Sequence, residues 1–269
     1  MQDLLARARS ELRHEPIERR VRAQADGATV ADSTRALLVW EPRRVVPSYA
    51  VPVQDLTVAP TAAPASTDGD ALPAVLHPGI PFAVHTAGGE PVAIAGRDGA
   101  GFRLADDDLA GYVVLDFAAF DAWLEEDEPI AGHPRDPYHR VDVRRSSRPV
   151  RIEVHGEVVA ETRRARLLSE TNLPLRFYLP REDVVAPLHP SAKRTSCPYK
   201  GEASYWSAEI AGRRRDDLAW SYEQPLPDVA TIAGLVAFWD EQVDVVLDGE
   251  RRPRPGGPIA AALRDEFGV

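Results

Sequence analysis

Apolar and polar residues alternate with a period of two along most of the chain, a pattern that predicts β-strands. Residues 150–154 (VRIEV) and 157–161 (EVVAE) alternate on either side of His155-Gly156, which predicts a tight hairpin because such a pair supplies the positive φ of the turn. Asp26-Gly27 stands between similar residues earlier in the chain. Further strands are predicted at residues 165–170, 175–179, 205–211, 218–222 and 243–250. The predicted fold class is mostly antiparallel β.

Apolar side chains spaced by three and four residues predict, in addition, one main helix per domain. One helix is predicted to begin at Asp116 and the other at Asp228, since aspartate is a favourable N-cap. Their apolar stripes would consist of Phe117, Phe120, Trp123 and Leu124 in the first helix and of Ile232, Leu235, Val236 and Trp239 in the second. Short helices are also predicted at Asp3–Glu11 and Ile259–Phe267.

The chain contains an internal repeat. Residues 21–41 (VRAQADGATVADSTRALLVWE) align with residues 150–170 (VRIEVHGEVVAETRRARLLSE) without a gap, at a constant offset of 129 positions. Shorter matches follow in the same order, such as residues 94–97 with residues 210–213 (both IAGR). Matches that keep their order predict a tandem duplication that forms two pseudo-symmetric domains.

This repeat sets the predicted domain boundaries. They are an N-terminal helix at 1–17, a first β-rich copy at 18–132, a linker at 133–148, a second copy at 149–250 and a tail with a short helix at 251–269. Residues 57–74, rich in Pro, Ala, Thr and Asp, are predicted to be a loop insert, because that composition cannot bury an apolar face. The basic residues within 144–148 are predicted to lie on a solvated face of the linker.

Composition excludes several functional classes. The 269 residues carry 32 Lys and Arg against 42 Asp and Glu, a net charge of −10 that argues against nucleic-acid binding. One cysteine excludes an intrachain disulfide and a zinc site with paired cysteines, and neither a metal nor a cofactor is predicted. The sequence has no apolar run of about 18 residues, so we expect a cytoplasmic protein without a membrane partner.

The second copy resembles a known family. The segments ETNLPLRFYLPREDV (170–184), CPYKGEASYW (197–206) and AWSY (219–222) are similar to a bacterial family called domain of unknown function 427, sometimes labelled nucleotidyltransferase-like. The resemblance covers residues 149–250 closely and residues 18–130 in outline. It implies a β-tent fold, as in methionine sulfoxide reductase B, whose twisted antiparallel sheets lean together over a cleft. Many such proteins hold zinc on two Cys-x-x-Cys pairs, which this chain lacks.

Candidate chemistry lies in the same segments. Cys197 is the candidate nucleophile, since the ammonium group of Lys200 three residues later would stabilise its thiolate; the alternative is a small buried apolar residue. Lys200 would face an anionic ligand or lie in solvent. Glu170 and Arg176 would transfer a proton and bind an acidic group, or would pair with each other across a hairpin.

Aromatic residues accompany these polar positions. Tyr178, Tyr199, Tyr205 and Trp220 are candidates for lining a small-molecule pocket, and they also suit a sheet core.

The two copies differ at the candidate positions. The alignment sets Glu41, Pro47, Tyr49, His85–Gly88 and Gly111 of the first copy against Glu170, Arg176, Tyr178, Cys197–Lys200 and Trp220 of the second. The thiol, both cations and an aromatic residue are therefore missing from the first copy. Any site is predicted to belong to the second copy, with the first as a structural partner.

Other motifs support no further site. Residues 96–101 lack the lysine of a phosphate loop and are predicted to form a hairpin turn, and Asp106–Asp108 are predicted to lie in a solvated loop. His133, Asp136 and His139 fall in the predicted linker.

Two functions remain open at this point. The first is binding or conversion of a small anionic or carbonyl-bearing molecule in the cleft of the second copy, and the sequence does not decide whether the protein is an enzyme. The alternative is a non-catalytic protein-interaction or structural module. We expect a monomer with an internal pseudo-dimer, or a homodimer.

Overall fold

The chain divides into two compact units. The computed structural model describes residues 7–64 and 72–269. Unit 1 comprises Met1–Asp136 and unit 2 comprises Pro137–Val269. In the part of the chain that the structure describes, no helix is long and apolar enough to span a membrane.

The described residues of unit 1 form eleven strands in two antiparallel sheets. The strands are β1 Arg13–Pro16, β2 Val21–Ala25, β3 Ala28–Ser33, β4 Leu37–Trp40, β5 Ser48–Pro52, β6 Thr61–Ala62, β7 Gly89–Ile94, β8 Arg97–Leu104, β9 Tyr112–Leu115, β10 Ala122–Glu125 and β11 Glu128–Ile130. The seven-stranded sheet has the order β1-β4-β5-β9-β8-β7-β6, and the four-stranded sheet has the order β11-β10-β2-β3.

Unit 2 also forms eleven strands, followed by one α-helix. These elements are β12 Val141–Arg145, β13 Val150–Val154, β14 Glu157–Thr162, β15 Arg166–Glu170, β16 Arg176–Leu179, β17 Leu188–Cys197, β18 Gly201–Ile210, β19 Arg213–Ser221, β20 Val236–Phe238, β21 Asp244–Leu247, β22 Glu250–Arg251 and α1 Gly257–Phe267. The sheet orders are β12-β15-β16-β20-β19-β18-β17 and β14-β13-β21-β22. Counted from the first strand of each unit, these orders are the same as those of unit 1, and the mostly β fold class is confirmed.

Two apolar clusters lie on opposite faces of the large sheet of unit 2. Phe177 and Leu179 of β16 point towards the four-stranded sheet, where they pack with Ile152 and its neighbours. We call this cluster the inter-sheet core. Tyr178, between them in sequence, points to the other face, because successive side chains of a strand alternate. The cluster on that face, named here the outer cluster, contains Leu168, Tyr178, Tyr205, Trp220, Tyr222 and Trp239.

The predicted hairpins are confirmed. His155 and Gly156 connect β13 to β14 with φ values of 51° and 85°, and Asp26 and Gly27 connect β2 to β3 with 52° and 76°. Positive φ at both central residues is the conformation that a two-residue hairpin requires.

The structure forms neither of the two predicted main helices. Asp116 does cap the segment after it, since its side chain accepts the Ala118 N–H at 2.9 Å, but only a 3-10 turn follows, and strand β10 begins at Ala122. In unit 2 the 3-10 segment Pro227–Ile232 is followed by Gly234 at φ 66° and then by β20. The large and small sheets supply backbone partners for these short apolar segments, and this pairing overrides the helical spacing.

Several boundaries also differ from the predictions. The predicted linker 133–148 contains β12, which pairs with β15 because Val141 and Val143 pack against the outer cluster. Arg13–Pro16 forms β1 within the segment predicted as an N-terminal helix, and residues 3–6 of the predicted helix Asp3–Glu11 lie outside the described residues. The predicted insert 57–74 contains β6, and its residues 65–71 are likewise not described. The predicted C-terminal helix is confirmed as α1.

Because each unit has its own inter-sheet core, we expect unit 2 to fold alone. A fragment of residues 137–269 should show one cooperative thermal transition and dispersed amide proton signals. A fragment of residues 150–269, which lacks β12, serves as the comparison and should be less stable. Non-cooperative melting of the longer fragment would contradict the division into units.

Candidate functional site

The structure brings the predicted site residues of unit 2 to one region. Glu170 ends β15, and Arg176 and Tyr178 lie in β16. Cys197 ends β17, Tyr199 and Lys200 lie in the turn before β18, Tyr205 lies in β18 and Trp220 lies in β19. Leu168, Arg176 and Tyr178 share the face of the outer cluster, by strand alternation and by their contacts. The site therefore lies on the face of the large sheet that is turned away from the inter-sheet core.

A buried ionic group holds the β17–β18 hairpin to the end of β15. The Lys200 ammonium group donates to Glu170 Oε2, and His139 Nε2 lies 2.9 Å from Glu170 Oε1. The imidazole of His139 stacks on the ring of Tyr199 with centroids 4.1 Å apart. The side chains of Glu170 and Lys200 are 5% and 9% exposed, and His139 is more open at 18%. We call these three residues the Glu170 group.

Electrostatics fixes the charges of this group. Burial favours the neutral acid of Glu170, but the charge of Lys200 and hydrogen bonds from His139 and Lys200 outweigh it and lower the pKa of Glu170 to about 2. Burial also favours neutral Lys200, yet the negative groups around it raise the pKa of Lys200 above its ordinary value. At neutral pH Glu170 is a carboxylate and Lys200 an ammonium, so neither exchanges protons readily.

Arg176 is bound to carboxylates of its own unit. Its guanidinium donates to both oxygens of Glu241, at 2.8 and 2.9 Å, and lies 3.4 Å from Asp240 Oδ1. The rings of Trp220 and Trp239 lie 5.6 and 5.4 Å from the guanidinium carbon. The prediction that Glu170 and Arg176 pair with each other is therefore wrong. The guanidinium N–H groups of Arg176 instead bind carboxylates of its own unit.

Asp240 is a second carboxylate beside a single guanidinium. Desolvation disfavours its charged form, and although Arg176 acts in the opposite direction, the nearby charge of Glu241 adds to the effect of burial. The pKa of Asp240 is raised to about 6.

The predicted aromatic residues are buried. Trp220 Nε1 donates to the Tyr178 hydroxyl at 3.0 Å, and the hydroxyls of Tyr205 and Thr195 lie 2.9 Å apart. Burial raises the pKa of Tyr178, so its hydroxyl stays protonated at neutral pH. These rings form the floor beneath the Glu170 group rather than an open wall.

Cys197 lies at the edge of this floor and is half-buried. It pairs with Gly201 at the closed end of the β17–β18 hairpin, and the Lys200 N–H donates to the Cys197 carbonyl at 3.3 Å. Gly201 has φ 96°, which a side chain would strain, and this conformation turns the chain so that Lys200 points inward.

Unit 1 has the same carboxylate position with different partners. Glu41 lies 2.6 Å from His85 Nδ1 and accepts the N–H groups of Thr86 and Ala87 at 2.7 and 3.0 Å. These donors belong to the segment between β6 and β7, which takes the place of the β17–β18 hairpin. Glu41 thus connects the end of β4 to the segment before β7, as Glu170 connects the end of β15 to the β17–β18 hairpin, but no lysine takes part.

Strand register corrects the predicted match between Tyr49 and Tyr178. Tyr49 lies opposite Leu38 in unit 1, whereas Phe177 lies opposite Leu167 in unit 2. Because Leu38 and Leu167 are equivalent in the gapless alignment, Tyr49 corresponds to Phe177 and faces the inter-sheet side.

Strand register also changes the residue of unit 1 that corresponds to Arg176. Ser48 lies opposite Val39 as Arg176 lies opposite Leu168, so Ser48 rather than Pro47 takes the place of Arg176.

Phe102 rather than Gly111 corresponds to Trp220. Phe102 pairs with Val114 of β9, and Trp220 pairs with Ala237 of β20, at equivalent points of the two sheets. Unit 1 therefore keeps an aromatic residue there, and His85 stacks on Phe102 with centroids 3.7 Å apart.

Three residues near the candidate site are not predicted from the sequence. His139 lies in the predicted linker, and Asp240 and Glu241 follow the segment whose apolar spacing predicts a helix. The alternation of Val141 and Val143 is a signal that could have placed β12, and hence His139, beside β15.

The described part of the chain contains one cluster that could share a metal ion. His14, Asp106 and Asp108 of unit 1 place ligand atoms within 4.8 Å of one another. The Asp108 side chain is 84% exposed and Asp106 already accepts the Asp108 N–H, as expected for the solvated loop predicted at these residues.

Replacing Lys200 alone should lower the stability of the fold more than replacing both Lys200 and Glu170. Lys200→Met leaves the Glu170 carboxylate buried without its cation, which should lower the free energy of unfolding by about 3–5 kcal/mol. In the double variant Glu170→Gln/Lys200→Met no uncompensated charge remains, so much of that loss should be recovered. Urea denaturation of both proteins measures the difference, and equal losses would show that the two side chains are not coupled.

Asp240 should make the protein less stable as the pH rises from about 4 to about 6. The folded-state pKa of Asp240 is higher than the ordinary value, so its stabilising contribution is complete below pH 4 and is lost as the pH passes about 6. A difference of about two pH units corresponds to about 3 kcal/mol. Asp240→Asn should remove this decline, whereas Glu161→Gln, at an exposed position of β14, should keep it. Denaturant unfolding at a series of pH values tests this, and an unchanged profile in Asp240→Asn would refute the assignment.

One family model matches part of the chain. Residues 142–249 match the model of the family NTP_transf_9, described as a domain of unknown function (DUF427). The matched segment runs from β12 to the turn before β22 and contains all eight predicted site residues. No curated protein matches the chain.

Proposed function

We propose that unit 2 binds a small anionic or carbonyl-bearing molecule on the outer face of its large sheet, beside Lys200, His139 and Cys197. The observation that carries the proposal is the difference between Glu170 and Glu41. Unit 1 has the same strand order and binds Glu41 with a histidine and two backbone N–H groups. A desolvated lysine is therefore not required for this fold, and buried ion pairs contribute little net stability.

The geometry of Lys200 leaves donors for a ligand. An ammonium group has three N–H donors, and among the described residues Glu170 is its one hydrogen-bond acceptor. A carboxylate, phosphate or carbonyl oxygen next to Lys200 Nζ would accept the remaining donors. The imidazole of His139, which is stacked on the buried ring of Tyr199 and is the more open of the two, would provide a flat surface for the rest of the molecule.

In a catalytic form of the proposal, Cys197 is the reacting group. Addition of its thiolate to a carbonyl carbon would form a C–S bond and move the π electron pair to the carbonyl oxygen, where the Lys200 ammonium would stabilise the negative charge. Glu170 fits the role of a base poorly, because its pKa of about 2 and its two partners keep it a bound carboxylate.

We also infer that the two units are copies of one β-tent domain. A second repeated feature supports this inference besides the strand order. Asp55 accepts from Ser33 and Arg35 in unit 1, and Asp183 accepts from Thr162 and Arg164 in unit 2. Because unit 1 keeps the carboxylate and an aromatic residue but has no counterpart of Cys197, Arg176 or Lys200, unit 1 would be a structural partner.

The alternative, a non-catalytic interaction or structural module, is favoured by one observation. Arg176 and Lys200 are both buried and paired with carboxylates of their own unit. In that case these pairs would fasten the strands and the hairpin, and no ligand would be needed.

A thermal-shift screen of the whole protein separates the two proposals. Small carboxylic acids, phosphate monoesters, aldehydes and ketones are the compounds to test, and a ligand at about 100 times its Kd should stabilise the fold by about 2.7 kcal/mol. Glu170→Gln/Lys200→Met should abolish the shift, and Cys197→Ser should reduce it for carbonyl compounds. Ser196→Ala, an exposed neighbour, is the matched control and should bind normally. Shifts that persist in the double variant would place the ligand elsewhere.

A further inference from the structure

Helix α1 covers part of the face that carries the proposed site. It spans Gly257–Phe267 and therefore follows the segment 142–249 that matches the family model. Phe267 and Val269 pack against the outer cluster, and the ring of Phe267 lies 4.9 Å from that of Trp239. Because Trp239 contacts Trp220 with centroids 4.4 Å apart, the helix extends the aromatic floor and shields it.

One lysine connects this helix to the strand that carries Cys197. Lys193 Nζ donates to the Phe267 carbonyl at 3.0 Å and lies over the rings of Tyr205 and Phe267, at 5.0 and 5.8 Å from their centroids. A cation at the C-terminus of a helix is favourable because it meets the free carbonyl groups there. Lys193, Thr195 and Cys197 lie on the same face of β17, because these three side chains are partly buried and the residues between them are exposed.

The attachment of α1 to the rest of unit 2 is slight. The helix has eleven residues, of which Ala260 and Leu263 are buried, and its N-terminus at Gly256 has no side-chain cap. An isolated helix of this length is marginal in water, so α1 depends on its docking for its own stability. The connection Arg252–Gly256 contains two prolines and belongs to no regular element.

Electrostatic coupling agrees with the packing. Burial raises the pKa of Tyr205 to about 12, and the negative charge of Glu266 on the helix contributes in the same direction. The hydroxyl of Tyr205 is thus close to both the helix and Thr195 of β17.

We infer that α1 is a displaceable cover of the outer cluster, held by Phe267 on Trp239 and by Lys193 on the helix C-terminus, and that its release opens the site of unit 2. The statement that the helix regulates a ligand site rests on the proposed function. The docking and release of the helix do not depend on it.

Hydrogen exchange of the full chain tests the release. In the wild type, the amides of residues 260–267 should exchange at least about tenfold faster than those of β16 and β19, because the helix opens without unfolding of the sheets. Exchange of these amides at the rate of the sheet amides would show that α1 is an integral part of the fold and would overturn the inference. This measurement needs no variant and stands even if a variant fails to fold.

Alkylation of Cys197 by iodoacetamide tests what the helix covers. The chain has one cysteine, so the rate reports on that residue alone. Lys193→Met/Phe267→Ala should accelerate the alkylation by about fivefold or more, since the open form becomes the main one. Arg264→Ala, on the exposed side of the helix, is the matched control and should react as the wild type does. An unchanged rate in a variant whose helix exchanges freely would overturn the inference.

The two proposals fail in different ways. If α1 opens and Cys197 becomes more reactive, but no compound of the screen depends on Lys200, the cover is supported and the proposed function is wrong. If a compound binds through Lys200 with the same affinity whether or not α1 is released, the proposed function stands and the regulatory role of the helix is wrong.

Discussion

The alternation of side chains across the large sheet of unit 2 is the constraint on which its chemistry depends. One face of that sheet is committed to the inter-sheet core, where Phe177 and Leu179 are almost fully buried. Every polar group of the site consequently lies on the other face, as Arg176 and Tyr178 do. A shift of one residue in β16 would exchange the two sets and place a guanidinium inside the apolar core. The register of β16 against β15 thus fixes the fold and the site together.

Charges on the outer face are balanced locally. Glu170 is matched by Lys200, and Arg176 by Glu241, while Asp240 remains as a surplus carboxylate that is protonated more easily than usual. A buried charge needs a partner at short distance, so each of these groups restricts the conformation of the segment that carries it. In this way the Glu170 group positions the Cys197 hairpin, and the Arg176 group positions the residues after β20.

The strands follow from the sequence better than the segments after Asp116 and Asp228 do, and the reason is physical. Turn dipeptides such as His155-Gly156 act locally, so the hairpins follow from the sequence alone. The segments after Asp116 and Asp228 have helical spacing over only a few residues, and their conformation is decided by distant strands that offer hydrogen-bond partners. The sequence predicts Glu170 and Lys200 as site residues, but His139 and Glu241 join the site because β12 and β20 pair with distant strands. Of these two pairings, only that of β12 has a local signal, the alternation of Val141 and Val143.

One extra residue in unit 1 separates the sequence alignment of the two units from their strand register. From Val21 to Glu41 the offset to unit 2 is constant, but between β4 and β5 unit 1 is one residue longer, so sequence alignment and strand register part there. On the inter-sheet side both units have an aromatic residue at the equivalent positions Tyr49 and Phe177, where close packing restricts the volume of the side chain. On the outer face the equivalent positions are Ser48 and Arg176, which differ in both size and charge. A buried carboxylate stands at the end of the equivalent strand in both units, but Glu41 accepts backbone N–H groups and Glu170 accepts from Lys200, so an ammonium group is one of two ways in which this fold satisfies that carboxylate.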